Sequence, residues 1–215
     1  MAQTITAATG GGTRPVVEAP NFQSAVIKIR GTAPYVQHKF SKKAREMMIA
    51  RQRAGSQGNK NRKRTPKDFE QDYKEATHFS QEGWIGIPAP SFRNAMISAC
   101  RVIGFKMTLA KLSIFVDADG LDADEGTPLV KIVGEPRVHE SLVKNETGVA
   151  DIRWRPMWEK WEASVRVRWD AGQFSAQDVV NLMARAGMQV GIGEGRPDSA
   201  NSNGLGWGMF EVVSW

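Results

Sequence analysis

Alternation of apolar and polar residues is strictest where Trp161, Ala163, Val165, Val167 and Trp169 are separated by Glu162, Ser164, Arg166 and Arg168. Nine residues of period two predict a strand with one buried face and one polar, partly basic face. Ala25, Ile27 and Ile29 alternate in the same way with Val26, Lys28 and Arg30, predicting a strand over 25–30. Strands are also predicted over 84–87, 112–117, 129–133 and 207–213. Helical spacing appears at Phe92, Ala95, Met96, Ala99 and Ile103, one face of a helix over 90–103 with Gly104 just past its end. Ser175, followed three residues on by Asp178, starts a second helix over 176–186. Its Ala176, Val179, Val180, Met183 and Ala186 share a side, and Gly187 closes it. Good helix formers fill 40–54, and 67–78 predicts a short helix with Asp68 and Glu70 in its first turn.

Without insertions the order is strand, helix, strand, strand, helix, strand. This is an α+β pattern, the ferredoxin-like arrangement shared with RNA-recognition modules: a four-stranded antiparallel sheet backed by two helices. Residues 1–23, rich in Thr, Ala, Gly and Pro, read as a flexible arm. Residues 24–215 read as one domain, with a large basic helical insertion over 32–82 and a further hairpin over 128–156.

With 215 residues, 41% of them hydrophobic, the chain can build a core, which excludes wholesale disorder. No apolar run approaches the roughly 20 residues of a membrane span. The opening MAQTITAATGGGTRP has no basic start and apolar stretch, so no secretory signal is expected and a cytoplasmic location is. The single cysteine, Cys100, offers neither an internal disulfide nor a metal cluster.

Charge changes the picture more. The net charge is +6, yet eleven basic residues lie between Lys39 and Lys67: Lys39, Lys42, Lys43, Arg45, Arg51, Arg53, Lys60, Arg62, Lys63, Arg64 and Lys67. Glu46 is the one acid among them, so the remainder of the chain is mildly acidic. A basic arm on an acidic body points to a polyanionic partner, the competing reading being a charged solvated face. Arg166 and Arg168 add cations on the polar side of the long strand. That side is expected to lack paired aromatics for stacking. Tyr35, Phe40, Tyr73 and Phe79 flank the basic run as candidate stacking residues or local core.

The stretch GIGEGRPDSANSNGLGWGMF carries Gly191, Gly193, Gly195, Gly204, Gly206 and Gly208. Such glycine density suggests backbone passing close to something, with free N–H groups to cradle phosphate and Arg196 as a bidentate anchor. No Lys-Ser or Lys-Thr follows and no helix comes after, so neither a P-loop nor a dinucleotide fingerprint fits. A surface loop with turn glycines is the competing reading.

This GxGxxRP…GxGxF pattern after a second helix resembles the signature of the RAMP superfamily, the RNA-binding subunits of CRISPR effector complexes. IGIPAPSFRNAMISACR is similar to the strand-to-helix segment of the superfamily's backbone subunits. The resemblance implies a modified RNA-recognition fold that assembles in repeated copies along a nucleic acid. A stand-alone, bacteriophage-type relative fits the same residues. The polar DSANSN linker is longer than the motif usually has.

The expected partner is thus single-stranded RNA or DNA, RNA favoured, bound by a homo-oligomer without cofactor or metal. The expected contacts are the basic residues from Lys39 to Arg64, with Arg166, Arg168, Gly191, Gly193, Arg196, Gly204 and Gly206. No catalytic residue is assigned. The alternatives are a metal-independent ribonuclease using His38, since some RAMP relatives cleave RNA with a histidine, and a protein-only adaptor. Trp154, Trp158 and Trp161 are expected to pack in an extended segment. The acidic DADGLDADEG does not match a calcium loop and is expected to form a solvated hairpin tip.

Overall fold

The computed structural model describes residues 19–39, 46, 49, 68–144, 150–199 and 205–215. The architecture is α+β with antiparallel sheets. The strands of the larger sheet are β1 (Phe22–Gly31), β3 (Gly86–Pro88), β4 (Ile114–Asp117), β5 (Gly120–Leu121), β6 (Pro128–Val133), β9 (Glu162–Asp170) and β10 (Phe210–Ser214). A three-stranded sheet joins β2 (Tyr35–Val36) and β7 (Arg137–Lys144) to β8 (Ala150–Trp158), in the order β2–β8–β7. The helices are α1 (Phe69–Glu75), α2 (Ala89–Val102), α3 (Met107–Ser113) and α4 (Ala176–Arg185).

Strand β9 is central because its alternation buries Trp161, Ala163, Val165, Val167 and Trp169 on one side. It lies antiparallel to β1 from Phe22↔Asp170 to Arg30↔Glu162. Its other edge is shared: β4 pairs from Ile114↔Trp169 to Asp117↔Arg166, and β6 pairs at Ile132↔Ala163. On the far side of β1 lies β10, giving the order β10–β1–β9–β4. Ile27 and Ile29 join the buried side of β9 in one core with Phe92, Met96 and Cys100 of α2 and Val179 and Met183 of α4. The start of α4 is fixed as the sequence predicts. Ser175 Oγ accepts from Asp178 N at 3.2 Å, and the Asp178 carboxylate accepts from Ser175 N at 2.9 Å.

Several boundaries differ from expectation, each for a local reason. Strand β1 begins at Phe22, inside the expected arm, because Phe22 and Gln23 already pair with Asp170 and Trp169. Leu112 and Ser113 end α3 instead of starting a strand; Ser113 Oγ donates to Leu109 O at 2.9 Å and Leu112 points outward, 74% exposed. The run 129–133 belongs to the larger sheet, so the additional hairpin is β7–β8 alone. Gly187 does not end the second long helix. The chain continues through a π-helical turn, Ala186–Val190, and stops at Gly191, where φ is +72°. Gly187 is there for space, since a Cβ would sit 2.1 Å from Phe210 O. Trp207 and Gly208 lie in a turn ahead of β10. Trp158 and Trp161 are buried in an extended segment as expected. Of the span 32–82 expected as an insertion, Tyr35, Val36, Gln37, Lys39, Ala76, Thr77 and His78 are buried in the body. Among the described residues no helix is long and apolar enough to cross a membrane.

Candidate nucleic-acid interface

The glycine-rich loop, the outer side of α2 and the segment after β2 enclose a polar cleft of about 470 Å³. Gly191, Gly193, Arg196 and Asp198 form one wall, Ser91, Asn94 and Ser98 of α2 another, and His38 and His78 a third. The loop is strapped to α2 by Arg101, whose Nη2 donates to both Asp198 carboxylate oxygens at 2.6 Å. It is strapped to β2 by Glu194 N donating to Val36 O at 3.0 Å. Arg196 lines the cleft and donates from Nη1 to Gly193 O at 3.0 Å.

The loop glycines make room for protein. A Cβ on Gly193, where φ is +75°, would lie 2.6 Å from both the Tyr35 ring and Val36 O. One on Gly195 would lie 2.8 Å from the Trp207 ring, and one on Gly208 would meet Ile192 O at 1.7 Å. At Gly206, with φ +67°, nothing is near and only the left-handed backbone calls for glycine. The density of glycine thus reflects folding of the loop onto β2 and onto itself. The amides of Gly193, Gly195 and Arg196 have no hydrogen-bond partner among the described residues and are free to meet an anion.

His38 reaches solvent in the cleft, yet the protein crowded around it and the charges of Arg155 and Arg153 push its pKa down to about 4. Arg155 is buried, salt-bridged to Glu194 of the loop, and opposite His139 in the β7–β8 register. Burial and the neighbouring Arg153 bring the pKa of Arg155 down to about 10. His139 meets the Trp207 ring edge-to-face at 5.2 Å. Arg196 and the amides of Gly193, Gly195 and Arg196 are thus the groups of this loop suited to an anionic ligand, while Arg155 is held by Glu194 and Arg101 by Asp198.

Two expectations for this region are corrected, and for Tyr35 the structure decides between the two readings. Lys39 is not an available phosphate contact: its buried ammonium donates to Asp122 Oδ1 at 2.9 Å and Asp124 Oδ2 at 2.7 Å. The acidic stretch is not a wholly solvated tip, because Asp122 is 0% exposed. Asp122 also holds His78 Nδ1 at 2.8 Å and accepts the Asp124 and Glu125 amides. Burial alone would raise its pKa, but the bonds from Lys39 and His78 outweigh that and hold it at about 2. Tyr35 is core, wedged between Trp158 and Trp161 at 5.6 Å from each, and has no free face for a base.

Arg166 and Arg168 stand on the exposed face of β9 as expected. That face is not devoid of aromatics. Phe22 and Phe115 lie on it, their ring centroids 5.7 Å apart. Both were invisible to pattern: Phe22 falls in the expected arm, and Phe115 meets it only through the sheet register. Lys42, Lys43, Arg45, Arg51, Arg53, Lys60, Arg62, Lys63, Arg64, Phe40 and Gly204 lie outside the described residues. Among the described residues no group of three or more His, Cys, Asp or Glu could hold a metal ion. No protein-family model matches the chain, and no match to it was found among curated proteins.

Proposed function

We propose that this protein binds single-stranded nucleic acid without cleaving it, RNA in preference to DNA, with several copies side by side on one strand. One observation carries the reading. The basic run begins in the chain at Lys39, next to His38, which lines a cleft that also holds Arg196 and the loop amides. Lys39 at the start of that run and His78, beyond helix α1 that follows it, both bond Asp122. The run from Lys42 to Lys67 carries ten basic side chains with one acid, Glu46. A polyanion held by the arm is delivered to the loop. The order β10–β1–β9–β4 supports a ferredoxin-like arrangement, and with it kinship to the RAMP superfamily. The preference for RNA and the repeated copies rest on that kinship.

Reversing Arg62, Lys63 and Arg64 to glutamate tests the reading. With about 0.7 counterions released per single-strand contact, losing three contacts flattens the salt slope by about 2 and weakens binding about 100-fold at 0.1 M salt. The loss is the same for every base sequence. Unchanged affinity and slope would remove the arm from the interface.

His38 favours a second reading. Its depressed pKa leaves it an unprotonated imidazole at neutral pH, able to act as a general base on a strand in the cleft. Labelled RNA incubated with the protein and a chelator stays intact under the binding reading and is cut under this one.

A further inference from the structure

We infer that the solvent face of the larger sheet is a second contact for the same strand, a platform on which one unpaired base stacks on the touching Phe22–Phe115 pair. The inference rests on the single-strand reading above and concerns a different surface from the cleft. Strand β9 runs between β1 and β4, so Phe22 and Phe115 approach each other across Arg168. The Arg168 guanidinium lies 5.3 Å from the Phe22 ring centroid and 5.2 Å from that of Phe115. Arg93 covers Phe115 at 5.3 Å.

Burial does not explain Phe22, which is 41% exposed on the side of β1 away from the core. The cations decide what would cover it. A purely apolar partner would have to bury the Arg168 guanidinium, which is costly without a closely matched carboxylate, while Arg93 already donates to Ile114 O and Lys111 O. Asp117 meets only Arg168, at 3.5 Å. Arg166, the next residue along the exposed face of β9, has no ion pair among the described residues. A nucleotide suits both parts, its base presenting a π-face to ring and guanidinium and its phosphate falling beside Arg166. Every base has such a face, so the contact is expected to be independent of sequence.

The test compares labelled oligo-U and oligo-dT with an abasic deoxyribose-phosphate strand of equal length, by fluorescence anisotropy at one salt concentration. Wild-type protein is expected to bind the base-bearing strands about tenfold or more tighter than the abasic strand. The double variant Phe22→Leu, Phe115→Leu keeps apolar bulk on the sheet; it is expected to lose that preference while retaining the abasic affinity and the salt slope. Equal loss on oligo-U and oligo-dT marks a contact to the base alone. The platform is overturned if wild type binds base-bearing and abasic strands equally, or if the variant keeps the preference; in both cases the single-strand reading stands. If wild type binds no strand, both fall together.

Discussion

Replacing Asp122 with alanine is expected to destabilise the fold by about 3 kcal/mol, the low end of the cost of breaking a buried ion pair because Asp124 still faces Lys39. The loss is concentrated at one atom group. Asp122 accepts from Lys39, pairs with His78 and closes its own turn through the Asp124 and Glu125 amides. Its removal leaves the buried ammonium with Asp124 alone and takes the partner from His78. Asp124→Ala is the control: that carboxylate is 65% exposed, and its loss should cost under about 1 kcal/mol. Urea unfolding of the two variants measures the contrast, and equal costs would show that Asp122 is not the anchor.

The same carboxylate sets the acid limit. Its folded pKa of about 2 lies below the ordinary 3.8, so its contribution is complete above about pH 4 and is lost as pH falls towards 2. His38 acts earlier and in the same direction. Its pKa of about 4 against an ordinary 6.5 means the unfolded chain takes up the proton first, so stability declines from about pH 6.5 down to 4. Unfolding midpoints measured across this range should fall in two stages. His38→Gln should shrink the upper stage, to which His78 and His139, also lowered by burial, contribute, and leave the lower one.

Gly208→Ala is the second severe change. The backbone there has φ +69°, and the added methyl would lie 1.7 Å from Ile192 O. Ile192 and Gly208 are joined by a backbone hydrogen bond of 3.0 Å, and Gly208 N donates to Pro34 O at 2.7 Å, so the clash is with a fixed strap. Roughly 1–2 kcal/mol for the left-handed conformation adds to roughly 1–3 for overpacking, about 3 kcal/mol or more in all. Gly206→Ala shares the left-handed backbone, with φ +67°, but has open space, and should cost only the conformational part. Thermal melts of the pair separate the two causes. A Gly208 variant as stable as its Gly206 counterpart would contradict the packing of the loop.

The elements that were legible in the sequence are those whose residues report their own environment. The alternation through β9 and the Ser175–Asp178 cap announce a strand and a helix start without reference to any neighbour. Helix α3 was missed because seven residues with two buried positions carry too little period to compete with a strand pattern. The glycine loop drew notice through composition, but composition does not say what fills the space; Tyr35 from distant β2 and Trp207 from farther along the loop fill it. The Lys39–Asp122–His78 cluster and the Phe22–Phe115 pair join residues far apart in the chain, and only the fold brings them together. Lys39 shows the cost of reading charge alone, since a cation in a basic run can be spent on an internal carboxylate.

Size-exclusion chromatography of the purified protein at physiological salt, followed at 260 and 280 nm before and after ribonuclease or deoxyribonuclease, tests the central claim most directly. Binding along a strand predicts a large species rich in 260 nm absorbance that collapses under ribonuclease, against a protein signal already strong from seven tryptophans. A protein peak that carries no nucleic acid, ignores both nucleases and does not shift when single-stranded RNA or DNA is added would contradict it, and would turn the basic arm towards an acidic protein.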